Sequence, residues 1–248
     1  MTPDEEVPGG WPPIDEVISR VVPLFPLPNL FLFPGTVVPL HIFEPRYRQM
    51  IEDSLDGPGR LVIGTTQDRE SLPESGTEGS DESGAESGAE SLPPPVHPIA
   101  GLGEIARHER LPDGRFVIML VGLTRVHVRE APSERMYRKV EIEPLEEVPV
   151  PGGTAPDLRE RLMAAVFERT PDLKDRADEL PEDMPIGHLT DLLLLRMQLP
   201  QSVMQPLYSE LVVAERARGA LAEHAHRPIL ADEGPPESGT PELGEGSD

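Results

Sequence analysis

The chain has 248 residues, a formal net charge of −23, 31 prolines, 22 glycines and no cysteine. That length accommodates one large domain or two modest ones, and the missing cysteines exclude a disulfide framework, a thiolate nucleophile and a thiolate zinc site. Residues 1–16, 67–96 and 231–248 together carry −18 and the other 184 residues only −5, a balance that gives neither the basic footprint of a nucleic-acid protein nor attraction to an anionic membrane.

Residues 1–18 read as a flexible leader and lack the basic and apolar regions of a secretory signal. With no apolar run of about 18 residues, the expectation is a soluble, cytoplasmic protein. The ordered pattern starts at "SRVVPLFPL", residues 19–27. Pro23 and Pro26 each remove a sheet donor, which predicts an edge or irregular strand. Pro34 and Gly35 then mark a turn, and Val37, Val38, Leu40, Ile42 and Phe43 predict a second strand.

The period changes at Phe43. Phe43, Tyr47, Met50, Ile51 and Leu55 mark one face of a helix, with Pro45 in its first turn and Gly57–Pro58 as its stop. Glu44 is placed to stabilise the free amides at its start. "RLVIGTT", residues 60–66, predicts a strand. Residues 67–96 are small and acidic, with "ESG" recurring at 74, 82 and 86. They cannot recover their ordering entropy by burial and read as a disordered insertion, a swollen loop within one β-rich region spanning 19–148.

From Ile99 two strands flank the Pro112–Asp113–Gly114 turn. Phe116, Ile118 and Leu120 take one face of the second, and Gly122 permits a bend. Gly101 and Gly103 read as turn glycines. Residues 137–148 alternate through Val140 and Ile142 as a further strand.

A helical subdomain is predicted over 149–230. Asp157 and Glu160 suggest a capping box ahead of Leu158, Leu162, Val166 and Phe167. Ile186, Leu189, Leu193 and Met197 mark the buried side of a second helix. Residues 202–227 read as one long helix, started by Ser202 with Gln205, with Pro206 near its first turn and a stripe through Leu207, Leu211, Ala214, Arg218 and Leu221. Residues 231–248 read as a disordered acidic tail.

A search for chemistry finds no phosphate loop, dinucleotide fingerprint, HExxH or GxSxG. His97, His108, His127, His224 and His226 do not share a ligating face. Ser19, Ser54, Ser202 and Ser209 with Lys139 and Lys174 form no recognisable nucleophile pair. No catalytic residue, metal ligand or cofactor is therefore expected. The richest stretch is the strand-to-helix corner of Pro39, His41, Phe43, Glu44, Pro45, Arg46 and Tyr47. Its first reading is stabilisation of the corner and its second a share in a recognition groove, with Arg46 and Arg48 forming ion pairs or meeting a peptide carboxylate while Tyr47 faces inward.

The stretch "PLFPLPNLFLFPGTVVPLHIFEPRYRQMIEDSL", residues 23–55, resembles the start of the substrate-binding domain of the ATP-dependent protease Lon. "LPDGRFVIMLVGLTRVHV" (111–128) and "LPQSVMQPLYSEL" (199–211) resemble its later hairpin and the entry to its terminal helices. The resemblance implies an α+β fold, a PUA-like antiparallel β pseudo-barrel followed by a helical bundle. It also implies a stand-alone domain without the ATPase and Ser/Lys protease domains of the full enzyme. The expected function is a non-enzymatic recognition or adaptor module for unfolded or partly folded polypeptides, linked to proteolysis or protein quality control, with a protease or chaperone as partner and neither nucleic acid nor membrane favoured. Two alternatives stand beside it: an RNA-binding PUA-like module, testable by a contiguous positive groove from Arg107, Arg115, Arg125 and Arg129, and a hydrolase without a recognisable motif.

Overall fold

The structure, a computed structural model, describes residues 21–67, 94–175, 180, 181 and 183–227. The expected leader, nearly all of the expected insertion and the expected tail lie outside these residues. The chain forms two compact units, one from residues 1–150 with 199–216 and the other from 151–198 with 217–248. The sequence pattern drew a single boundary at 148/149. The contacts instead return residues 199–216 to the β-rich unit.

The first unit contains β1 (Val21–Leu27), β2 (Val37–Ile42), α1 (Pro45–Leu55), β3 (Arg60–Thr65), β4 (Ile99–Arg110), β5 (Phe116–Ala131) and β6 (Arg138–Pro144). The sheet order is β2-β5-β4-β3-β1-β6, and β5 also pairs with β6, so the last five strands return on themselves as a ring. Not every pairing is antiparallel as expected: β1 and β3 run parallel. Such a pair cannot be joined by a tight hairpin, and the connection runs through β2 and α1.

Of the edge or irregular strand expected at β1, the edge is corrected, since β1 lies between β3 and β6, while its pairing is irregular, switching partner at Leu24. Its prolines are tolerated because each half of the strand is paired on one side only. Val21–Leu24 pair with β6, and Leu24–Leu27 pair with β3. Successive strand residues point their backbone groups to opposite sides. Pro23 and Pro26, three apart, thus direct their donor-less nitrogens to opposite unpaired flanks.

Two buried clusters organise this unit. Val22, Leu24, Val62, Ala100, Leu102, Val126, Val128, Val140 and Ile142 come from all five ring strands and fill the ring. The second joins Tyr47, Met50 and Ile51 of α1 to Phe25, Leu32, Ile42, Leu61, Ile63, Phe116, Ile118 and Leu120. Gly101 and Gly103 lie inside β4, not in a turn. There a Cβ on Gly101 would lie 2.4 Å from the Leu32 carbonyl oxygen, and one on Gly103 2.8 Å from the Leu32 and Leu120 side chains. The 112–114 turn forms as expected, and hydrogen bonds from the Arg115 backbone and side chain hold the Asp113 carboxyl below the usual range.

The single helix expected over 202–227 is two: α5 (Gln201–Ser209) and α6 (Val213–His226), numbered after α2 (Ala155–Arg169), α3 (Pro171–Asp175) and α4 (Ile186–Arg196). Tertiary pairing breaks it. Val148 donates its N–H to the Leu211 carbonyl (2.9 Å) and accepts from the Val213 N–H (3.1 Å), as one bridge of parallel sheet. Pro206 accordingly sits inside α5, and the helix starts after Pro200 without a side-chain cap. Gln205 donates to Ser209 Oγ instead of completing a box with Ser202. Nor do Asp157 and Glu160 form one: Thr154 occupies the N-cap position of α2 and makes no side-chain cap bond.

In the second unit α2 packs against α4. Leu158, Leu162 and Val166 are buried on one helix and Ile186, Leu189 and Leu193 on the other, as their spacing predicts. Arg159 ties the pair by donating to the Met184 carbonyl at 2.6 Å.

Candidate functional site

The corner residues divide between two sides of the sheet. In the antiparallel β2–β5 register Val38, Leu40 and Ile42 face Leu120, Ile118 and Phe116, and this set points into the core. The alternate set, Val37 with Val121, Pro39 with Met119 and His41 with Val117, shares the opposite face. That outer face is solvated: Val37 is 53% and Val117 38% exposed, Pro39 and His41 are exposed, and Phe43 just beyond the strand is 62% exposed. The next row, on β4, is charged, with Glu104, Arg107 and Glu109 aligned to Val121, Met119 and Val117. Two rows that are mostly apolar therefore meet water, with Met119 and Val121 half-buried between the exposed positions, beside a polar one, the reverse of the usual alternation in a half-exposed sheet.

Tyr47 turns inward as expected, is buried, and packs its ring 4.4 Å from that of Phe25. Arg46 lies over the same ring at 4.6 Å. Burial raises the Tyr47 phenol above its ordinary value, with Arg46 opposing. Pro45 opens α1 as expected, but the Glu44 carboxylate does not cap it. It accepts from Arg46 Nε at 2.9 Å and Nη2 at 2.8 Å, so a neighbouring guanidinium outcompetes the helix amides. Arg48 reaches the Asp113 carbonyl at 3.4 Å.

Sequence reasoning missed Val117, Met119 and Val121. Their signal was present, because β5 is apolar on both faces, whereas a strand with one solvated face shows alternation.

On another side of this unit, a cleft of about 800 Å³ lies where β1 and β6 part, lined by Arg46, Tyr47, Arg135, Met136, Tyr137 and Arg138. Each of its arginines has an acid: Glu44 for Arg46, Asp53 for Arg135 and Glu130 for Arg138. Tyr137 donates to Asp53 Oδ2 at 2.8 Å. Burial, then this hydrogen bond and the Asp53 charge, push its phenol up to about 12. Because the folded value exceeds the unfolded value of about 10, the associated stability is fully present below pH ~10 and drains away between about 10 and 12. Asp53→Asn is expected to move the Tyr137 phenol to lower pH in an ultraviolet alkaline titration; an unchanged titration would contradict this assignment.

Residues 21–222 match the family profile described as the ATP-dependent protease La (LON) substrate-binding domain. The chain belongs to the Lon substrate-binding domain family. It is similar to the Lon protease of Anaeromyxobacter dehalogenans, with 25% identity over 78% of this chain and 22% of that protein. Lon protease 2 of Sorangium cellulosum is 29% identical over 65% of this chain and 18% of its own length. The chain thus spans about a fifth of the length of the curated relatives it matches. Among solved structures, the N-terminal domain of Mycobacterium avium complex Lon protease aligns with a TM-score of 0.60, at 16% identity over 84% of this chain and 100% of that one. The Lon N-terminal domain protein from Xanthomonas campestris aligns at 0.54, with 20% identity over 82% of this chain and 97% of its own. At these identities the likeness concerns the fold, a mixed α+β arrangement of a sheet and C-terminal helices, which this Lon-family chain shares.

Proposed function

We propose that this Lon-family domain is a polypeptide-recognition or adaptor module, and that the outer face of β2 and β5 holds apolar side chains of unfolded or partly folded clients. The observation that carries the reading is the pair of mostly apolar rows, Val37–Pro39–His41 and Val121–Met119–Val117, facing water beside a charged row. Burying such a face against apolar side chains recovers about 25 cal/mol per Å², without a reactive group or cofactor. The family description, a substrate-binding domain of a protease, supports placing this recognition in a proteolytic or quality-control setting. The closed five-strand ring is in keeping with a PUA-like pseudo-barrel.

Of the four arginines that would favour RNA, three are acid-paired, and the fourth, Arg107, stands between Glu104 and Glu109 in the charged row of β4. Arg125 is buried on Glu147, Arg115 pairs with Asp113 and Arg129 with Glu141. Their arrangement supports the polypeptide reading over a nucleic-acid one.

Met119→Glu places a charge at the centre of the face, opposite Pro39. It is expected to weaken binding of dye-labelled, permanently unfolded casein, measured by fluorescence anisotropy, by tenfold or more while the far-ultraviolet circular dichroism stays that of the parent. Equal affinity in the two proteins would refute the assignment of the face.

A further inference from the structure

β2, which carries half of this face, is also the one strand with a whole flank unpaired among the described residues. β1, β3, β4, β5 and β6 each have a neighbour on both flanks along all or part of their length, whereas β2 pairs with β5 alone. An open edge is a template for another chain, so the polarity of its backbone groups determines how a polypeptide is taken up.

That polarity follows from two hydrogen bonds where β2 begins. Gly122 donates its N–H to the Thr36 carbonyl at 2.9 Å and accepts from the Gly35 N–H at 2.8 Å. Thr36 therefore turns its carbonyl toward β5. Along an antiparallel ladder the backbone groups alternate sides, and the β2–β5 register runs from Val37 to Ile42 without a shift. Val38, Leu40 and Ile42 accordingly bond to β5, while Val37, Pro39 and His41 turn theirs outward. The proline occupies the middle outward position. Its missing N–H costs the β2–β5 ladder nothing, and it interrupts the outward row of donors at its centre. The remaining outward donors, on Val37 and His41, are four residues or about 13 Å apart, and the pyrrolidine ring stands between them.

We infer that Pro39 closes the outward edge of β2 to strand pairing, so that clients are held through their side chains on the outer face rather than as an added strand. Pro39 thereby determines specificity: it keeps the apolar surface available while denying the backbone ladder that would recruit any extended chain, including a second copy of this one. The inference deepens the proposed function and rests on it for the client, but its statement about self-association stands independently.

Pro39→Val restores the N–H and preserves an apolar side chain. Sedimentation of the variant is expected to show concentration-dependent self-association at concentrations where the parent sediments unchanged; identical sedimentation of a folded variant would overturn the inference. Should the variant not fold, amide hydrogen exchange of the parent decides. With unfolded casein bound, the Val37 and His41 amides are expected to exchange at their free rates, and protection of both, as in an added strand, would overturn it. Failure of casein to bind at all would sink the proposed function and leave the sedimentation experiment as the test of the edge.

Discussion

Glu147→Gln is expected to destabilise the β-rich unit by about 3 kcal/mol, the lower end for breaking a buried pair because the Glu147 side chain is 32% exposed, a fall in Tm on the order of 10 °C. The Glu147 Oε1 atom accepts from Arg125 Nη1 at 2.8 Å and from Arg216 Nη2 at 2.7 Å. Both guanidinium side chains are buried, 1% and 0% exposed. Arg125 also donates from Nε to the Tyr208 carbonyl at 2.8 Å, and Arg216 from Nη1 to the Glu210 carbonyl at 2.7 Å. These carbonyls stand at the C-terminal end of α5, where positive charge is favoured. The ring of Tyr208 lies 4.8 Å from the Arg125 guanidinium, and that of Phe33 5.6 Å from it.

A buried cation that loses its carboxylate keeps its desolvation cost and loses the attraction that offset it. Exchanging the whole triad for apolar residues of similar size removes both terms. The triple variant Arg125→Met, Glu147→Leu, Arg216→Met is therefore expected to lie within about 2 kcal/mol of the parent, above Glu147→Gln. Denaturant unfolding followed by circular dichroism decides between them. A loss below about 1 kcal/mol for Glu147→Gln would show that the carboxylate is not what holds the two arginines.

This triad marks where legibility in the sequence ended. An arginine in the apolar run "GLTRVHV" reads as a surface cation, and Arg125 was weighed as one. Its burial depends on a carboxylate 22 residues on, which a second arginine 69 residues beyond that shares. No local pattern carries such a meeting. The same holds for the break between α5 and α6, imposed by a backbone bridge from Val148 on a segment whose own pattern continues as helix.

What periodicity governs was legible. The change of period at Phe43 marks the turn from β2 into α1, with Pro39, His41 and Phe43 exposed beside it. Capping was the weakest local rule. Glu44, Asp157 and Ser202 each sit near a helix start, and none supplies the side-chain cap. At Glu44 the reason is visible: its carboxylate is held by both Nε and Nη2 of Arg46, two donors on one fork, which a single helix amide does not offer.

The second large effect is expected at Gly122, where the fold and the candidate site share one constraint. Gly122→Ala is expected to cost about 3 kcal/mol, at the upper end for overpacking, and to weaken casein binding with it. A Cβ there would lie 2.1 Å from the Phe33 carbonyl oxygen and 2.9 Å from its carbon. Backbone atoms cannot rotate away as a side-chain end does. Residues 33–36 are also tied to Gly122 through the Gly35 and Thr36 hydrogen bonds, and Gly35 itself adopts a φ of 75° open chiefly to glycine. Relief therefore requires moving the turn that launches β2, which carries Val37 and Pro39 away from Val121 and Met119. Gly153→Ala is the matched control: a Cβ there meets nothing within 4 Å. It is expected to leave both stability and binding at the parent values. If Gly122→Ala unfolds within about 0.5 kcal/mol of the parent, the close approach of β5 to the turn does not fix the start of β2. If it is destabilised yet binds casein with parental affinity, the face does not depend on the β2–β5 register, and recognition must be sought elsewhere on this unit.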